Sequence, residues 1–230
     1  MNMTEYVFTP DLPVTLPVVG SKQRFPVGRV FCVGRNYPWP DTQGQSRQPP
    51  VFFMKPASNV VDAVGEVPFP PLTDEFAHEI ELVVAIGEGG ADIPESEALA
   101  YVWGYAAGLD LTRRDVQRQA KSSGLPWEGA KVFDGAAPMT AVVPVNRLGH
   151  PDGELWLNVN GQERQRDSLD NQIWSVSEVI SRISRSVTLK AGDLIMTGSP
   201  AGVDVLQPGD IINAGIDGIG QLEMRVGPRT

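Results

Sequence analysis

Short apolar runs rich in Val, Ile and Leu recur along the chain, separated by Gly, Pro, Asn and Asp, a pattern that predicts strands and turns. Candidate strands lie at 29–33, 51–54, 79–86, 101–110, 154–159, 193–197, 210–214 and 221–226. Asn160-Gly161, set between Leu155-Trp156-Leu157 and Glu163-Arg164, marks a two-residue hairpin. Gly192-Asp193 and Pro208-Gly209-Asp210 each read as a tight reversal feeding a strand. Helical periodicity is confined to three stretches. Residues 94–100 open with Pro and Glu, and 112–122 offer Thr112 as N-cap with Asp115 three positions on. Residues 175–186 place Val176, Val179, Ile180 and Ile183 on one face. The sum is a mainly β chain with a few helices, an α+β fold. Residues 1–24 predict a small cap or arm, and 25–230 the principal domain. The stretch 38–50 carries four prolines and no periodicity, so it reads as a long loop, either a lid or an inert connection.

With 230 residues, 41% hydrophobic and 20% charged, the chain is long enough for one sizeable core and too apolar to be disordered. A formal charge of −9 excludes a nucleic-acid partner, which needs a basic stripe against phosphates. An anionic substrate stays open, because a bound divalent cation inverts the local field. The single cysteine, Cys32, lies in an apolar run and reads as a buried thiol. The N-terminus lacks a basic start followed by an apolar block, and no run approaches the roughly 20 apolar residues of a spanning helix. The expectation is a cytoplasmic protein without membrane contact.

The sharpest chemical signal is His78-Glu79-Ile80-Glu81-Leu82-Val83-Val84. On a strand, Glu79 and Glu81 share one side, roughly 6 to 7 Å apart, while Ile80, Leu82 and Val84 face the core. Two like charges on one face are tolerated either by solvent or by a cation between them. Asp110 ends the apolar run Tyr105-Ala106-Ala107-Gly108-Leu109, where an acid needs a hydrogen-bond donor or a metal, or serves as a helix cap. Three carboxylates suit a hard ion such as Mg²⁺, whereas Cys32, His78 and His150 are too scattered for zinc. Lys131 sits in an apolar stretch. It either presents a desolvated ammonium where an enolate develops or buries only its stem.

At these residues the sequence resembles the fumarylacetoacetate hydrolase family, in its small single-domain members. The resemblance runs from about Arg29 to the end. It rests on Val33-Gly34-Arg35-Asn36-Tyr37, Phe53-Met54-Lys55-Pro56, the 78–82 carboxylate strand and Gly104-Tyr105. It continues through Asp110-Leu111-Thr112-Arg113-Arg114-Asp115-Val116-Gln117, Gly124-Leu125-Pro126-Trp127, Ala130-Lys131-Val132-Phe133-Asp134 and Thr197-Gly198-Ser199-Pro200. It implies a distorted β-roll, a homodimer, and Mg²⁺ or Mn²⁺ on Glu79, Glu81 and Asp110. It further implies substrate contacts from Arg35, Lys55, Arg114, Gln117 and Ser199, with Lys55 near the acidic cluster and Lys131 catalytic. The implied reaction is hydrolysis of an acylpyruvate such as fumarylpyruvate, as in aromatic catabolism, through a pyruvate enolate stabilised by metal and lysine.

One departure alters that expectation. Hydrolytic relatives carry a His and a Glu, three residues apart, on a lid helix that activates water; Pro40 and Gln43 occupy those places here. Proline is no base, and two prolines oppose a helix. Asp41 is the nearest substitute, although a solvated aspartate is a weak base. His78 falls on the opposite strand face from both glutamates. Alternatives are therefore an oxaloacetate-type keto–enol tautomerase or decarboxylase, and a catalytically silent dicarboxylate-binding relative.

Overall fold

The computed structural model describes residues 6–39 and 46–229. Its larger sheet runs, in order, Val51–Lys55, Val30–Gly34, Leu194–Met196, Ile80–Ile86, Val102–Leu109, Ala137–Met139 and Val60–Asp62. Val143–Pro144 adds to Val102–Leu109. The smaller sheet runs Gln162–Ser168, Glu154–Val159, Ile211–Ile216, Gly220–Arg229 and Val64–Phe69. These mixed sheets with few helices are the mainly β architecture that the hydropathy pattern implied.

One core fills the space between the sheets. Ile80, Leu82, Val84, Ile86, Tyr105, Ala107 and Leu109 meet Leu157, Ile212, Leu222 and Val226 there. The helix Val176–Ser186 closes it with Val179, Ile180 and Ile183. The opposite face of the larger sheet is covered as well: Val83, Ala85, Ala106, Leu194 and Met196 pack under Leu16 and Phe25 of the hairpin Thr15–Pro17/Arg24–Pro26. Ile80–Ile86 is consequently buried along its whole length. Each large aliphatic side chain so buried stabilises by about 1.5–3 kcal/mol, enough for one strand to carry a buried acid as well.

Several expected elements are found and some are displaced. Asn160 and Gly161 both have positive φ, +52° and +75°, and join Glu154–Val159 to Gln162–Ser168 as a tight hairpin. Residues 94–100 form a 3-10 helix, Glu95–Tyr101, rather than an α-helix. The helix expected at 112–122 begins at Arg114, and Thr112 is not its cap. Thr112 lies instead on a two-residue strand opposite Ala77, and its hydroxyl bonds to Glu79 and to the Asp110 carbonyl. Ser175 caps the Val176–Ser186 helix through a reciprocal bond with Glu178. Among the described residues, no helix is long and apolar enough to cross a membrane.

Candidate functional site

Antiparallel pairing of Ile80–Ile86 with Val102–Leu109 sets Glu81 opposite Gly108, and the Asp110 amide donates to the Glu79 carbonyl at 2.8 Å. The register therefore gathers Glu79, Glu81 and Asp110, each offering an oxygen within 4.8 Å of the others. Glu81 is 2% exposed and Asp110 1%, while Glu79 is half-buried. Asp110 is no helix cap; its carboxylate faces two lysines.

Lys131 Nζ lies 2.9 Å from Glu79 Oε2 and 2.5 Å from Asp110 Oδ2. Lys55 Nζ lies 2.9 Å from Asp110 Oδ1 and donates to the carbonyls of Leu111 and Lys131. The electrostatics of the three acids diverge for that reason. Burial alone would raise the Asp110 pKa, but the charges of Lys131 and then Lys55 outweigh it and hold the group below its ordinary value. Burial likewise opposes the Lys131 charge, yet Asp110 and Glu79 push its pKa upward. Among the described residues, no cation lies at ion-pair distance from Glu81. Burial first, then Asp110 and Glu79, drive its pKa well above the usual carboxylate range, against Lys131 and one backbone donor, the Gly198 amide at 2.8 Å.

That asymmetry is a test of whether a metal fits. Three carboxylates against two ammonium groups leave one negative charge in excess, concentrated at Glu81. A hard divalent cation with oxygen ligands matches the donor set and supplies the missing charge. The residues fit such an ion.

Around the acids opens a cavity of about 1030 Å³. Arg35, Arg114, Gln117, Lys131 and Ser199 all line it; Lys55 does not, lying wholly buried behind Asp110. Arg35 takes φ +59°, a left-handed conformation uncommon outside glycine and often found at functional sites. The Ser199 hydroxyl donates to the Ile80 carbonyl at 2.7 Å and accepts from Gln165 Nε2 at 2.9 Å. His78 is buried outside the cavity and meets Gln165 Oε1 through Nδ1 at 3.0 Å; burial lowers its pKa. Both ends of the 38–50 loop form cavity wall, through Pro38, Trp39 and residues 46–49. Asp41, Pro40 and Gln43 lie outside the described residues.

Four contributors escaped the sequence reading. Asn36 is a buried brace: its side chain donates to the carbonyls of Trp174 and Thr197 and accepts from the Trp174 amide, tying the Arg35 turn to the Gly198 turn. Gln165 is the lone buried side chain of its polar strand, turned inward where the register shifts opposite Leu157 and Asn158. Arg47 stacks on Trp174 and pairs with Glu178, anchoring residues 46–49 of the wall. Lys121 reaches the cavity from the last turn of the Arg114–Ser122 helix. Two left a trace in the sequence: Asn36 stands in the Val33–Tyr37 motif, and Arg114, Gln117, Arg118 and Lys121 repeat at helical spacing.

Comparison with known proteins places these features among relatives. Residues 29–227 match the family model described as fumarylacetoacetate (FAA) hydrolase C-terminal. A Burkholderia cenocepacia structure, provisionally named a fumarylpyruvate hydrolase, is 51% identical with a TM-score of 0.94 and covers 100% of this chain and 98% of its own. The fumarylpyruvate hydrolase of Pseudomonas aeruginosa, solved with Mn²⁺ and pyruvate, is 46% identical with a TM-score of 0.92, covering 97% and 99%. The mitochondrial oxaloacetate tautomerase of Arabidopsis thaliana is 41% identical over 201 residues, 86% of this chain and 90% of its own length.

Proposed function

Since the chain belongs to the fumarylacetoacetate hydrolase family, we propose that it is a divalent-metal-dependent hydrolase of an acylpyruvate such as fumarylpyruvate. The observation that carries this reading is the buried Glu79/Glu81/Asp110 cluster with Lys131 set against it at the floor of a large cavity. Glu79, Glu81 and Asp110 would hold Mg²⁺ or Mn²⁺. A cation bound there supplies Lewis-acid polarisation of the keto-acid oxygens. In the proposed reaction water adds to the 4-carbonyl and the C3–C4 bond breaks. The bonding pair passes to C3 as a pyruvate enolate, which takes a proton to give pyruvate beside the released carboxylic acid.

The chain's own residues divide the remaining work. Lys131 presents an ammonium where enolate charge grows, and Asp110 and Glu79 fix its position. Lys55 orients Asp110 from behind. Arg35, Arg114 and Gln117 bind and align the substrate from the wall, and Ser199 shapes the floor. Asp41 is the candidate base for the attacking water on sequence grounds alone. The edge strand Val51–Lys55 exposes Phe52 and Met54 on the side away from the cavity, apolar surface in keeping with the proposed homodimer.

A second reading is favoured by one specific observation, Pro40 and Gln43 in place of the lid His and Glu. An oxaloacetate keto–enol tautomerase or decarboxylase needs enolate stabilisation without an activated water, and the Arabidopsis relative is named as such a tautomerase. Assays of fumarylpyruvate, acetylpyruvate and oxaloacetate with Mg²⁺ or Mn²⁺, and again after EDTA, separate the two. EDTA-sensitive pyruvate release from the acylpyruvates supports the hydrolase. Loss of oxaloacetate enol absorbance without pyruvate marks a tautomerase, and pyruvate from oxaloacetate a decarboxylase. Oxalate binding with no turnover of any of these leaves a silent dicarboxylate-binding relative.

A further inference from the structure

The helix Arg114–Ser122 buries none of its side chains, which is unusual for a helix that closes a cavity. Arg114, Gln117, Arg118 and Lys121 stand at i, i+3, i+4 and i+7, and all four line the cavity. The stripe that would normally be apolar is polar and cationic, so it faces a ligand or water rather than a core.

Pairing distinguishes these cations. Arg118 makes a bidentate pair with Glu75 at 2.7 and 2.8 Å, and Lys131 is held by Glu79 and Asp110. Arg47 is held by Glu178. Arg35, Arg114 and Lys121 line the same cavity with no carboxylate at ion-pair distance among the described residues, in a chain of formal charge −9. Lys121 is partly exposed to solvent, and its Nζ lies 5.2 Å from the ring centre of Trp127, which packs edge-on against Phe53. Partial burial, then the like charges of Arg35 and Lys131, pull its pKa down against the weaker opposing charge of Glu79. The cavity, about 1030 Å³, stands at the upper end of the roughly 300–1,000 Å³ usual for small-molecule sites and has room for a ligand reaching beyond the acidic floor.

Resting on the acylpyruvate reading above, we propose that Lys121, with Arg35, docks a second carboxylate at the far end of the substrate's acyl chain. The site then selects keto-diacids, gripped at both ends, over acylpyruvates with a neutral acyl group. Lys121 is a substrate anchor in this scheme and takes no part in bond breaking.

The test is calorimetric binding to the Mn²⁺-loaded protein of 2-oxoheptanedioate and of 2-oxoheptanoate. The two share one carbon skeleton, differ in the terminal carboxylate and lack the 4-keto group needed for hydrolysis. The wild type is expected to bind the diacid at least about tenfold more tightly, one charge-assisted contact's worth. Lys121→Met, which keeps the packed stem, should lose most of that preference while its affinity for the monoacid stays within about twofold; Lys121→Arg should retain it. Equal wild-type affinity for the two acids overturns the proposal, as does a Lys121→Met variant that weakens both alike. A diacid preference without acylpyruvate turnover upholds the anchor and removes the hydrolase reading. Acylpyruvate turnover without a diacid preference does the reverse.

Discussion

The amide of Gly198 donates to Glu81 Oε2 across 2.8 Å from a backbone with φ of +99°. Glycine is required there on two counts. Left-handed φ costs another residue about 1–2 kcal/mol, and a Cβ would sit 2.6 Å from Asn36 Cβ and 3.0 Å from the Val33 carbonyl. Gly198→Ala should therefore lower the melting temperature by several degrees and move the backbone amide that donates to Glu81. Divalent-ion affinity should fall about tenfold or more with it, read by calorimetric titration of Mn²⁺. Wild-type affinity in a correctly folded variant would mean that the Gly198 amide does not hold Glu81 in place.

Glu81→Gln makes a prediction of opposite signs. Without metal, the substitution relieves a buried carboxyl that burial, Asp110 and Glu79 all disfavour as an anion, so in EDTA the variant should melt at or above the wild type. With Mn²⁺, the wild type should gain stability, about 2.7 kcal/mol when the ion is at 100 times its Kd, and the variant should gain almost none. Thermal melts with and without metal read both effects. An equal upward shift in the two proteins would remove Glu81 from the metal site.

The features legible in the sequence were those written in local chemistry. The Asn160-Gly161 turn, the apolar face of the 175–186 helix and the Glu79/Glu81 alternation depend on neighbours a few residues away. Strands of other kinds were hidden. Gln162–Ser168 is polar at every position, Gln165 being buried all the same, so it shows no alternation, and Val64–Phe69 buries only Val67 and Phe69. The start of the Arg114–Ser122 helix was misplaced because Thr112, a good cap by type, has its hydroxyl committed to Glu79. The inward turn of Lys55 was hidden too, since it depends on the carbonyls of Leu111 and Lys131, 56 and 76 residues away.

Lys131→Met removes the ammonium that both Asp110 and Glu79 face. Breaking a buried ion pair by deleting one partner costs about 3–5 kcal/mol, so the metal-free variant should be markedly less stable. Added Mn²⁺ should recover part of that loss, because the cation competes with no ammonium for the same oxygens. Turnover should nonetheless drop by about a hundredfold or more, as expected when charge stabilisation of the transition state is lost. Chemical denaturation with and without Mn²⁺, paired with kcat on the preferred substrate, gives the two readouts. A stable, metal-binding variant with undiminished kcat would strip Lys131 of its proposed role.

The Arg47–Glu178 pair ties cavity-wall residues 46–49 to the Val176–Ser186 helix, and it should give the protein a defined acid sensitivity. Arg47 holds the Glu178 carboxylate with bonds of 2.8 and 2.6 Å and stacks on Trp174. That pairing, opposed by partial burial and assisted by the Ser175 amide and hydroxyl, lowers the Glu178 pKa from 4.5 to about 2. Because the folded-state pKa is depressed, the contribution is complete above about pH 4.5 and is lost as pH falls from there towards 2. Both partners are substantially solvated, so screening limits the contribution to about 0.5–1 kcal/mol. Urea unfolding of the wild type and Arg47→Gln at pH 7, 5, 4 and 3.5 should show the wild type ahead by that amount at pH 7 and the two curves converging below pH 4.5. Added salt should narrow the pH 7 gap, as it does for exposed ion pairs. A gap that persists unchanged to pH 3.5 would assign the effect to stacking on Trp174 instead of to the charge on Glu178.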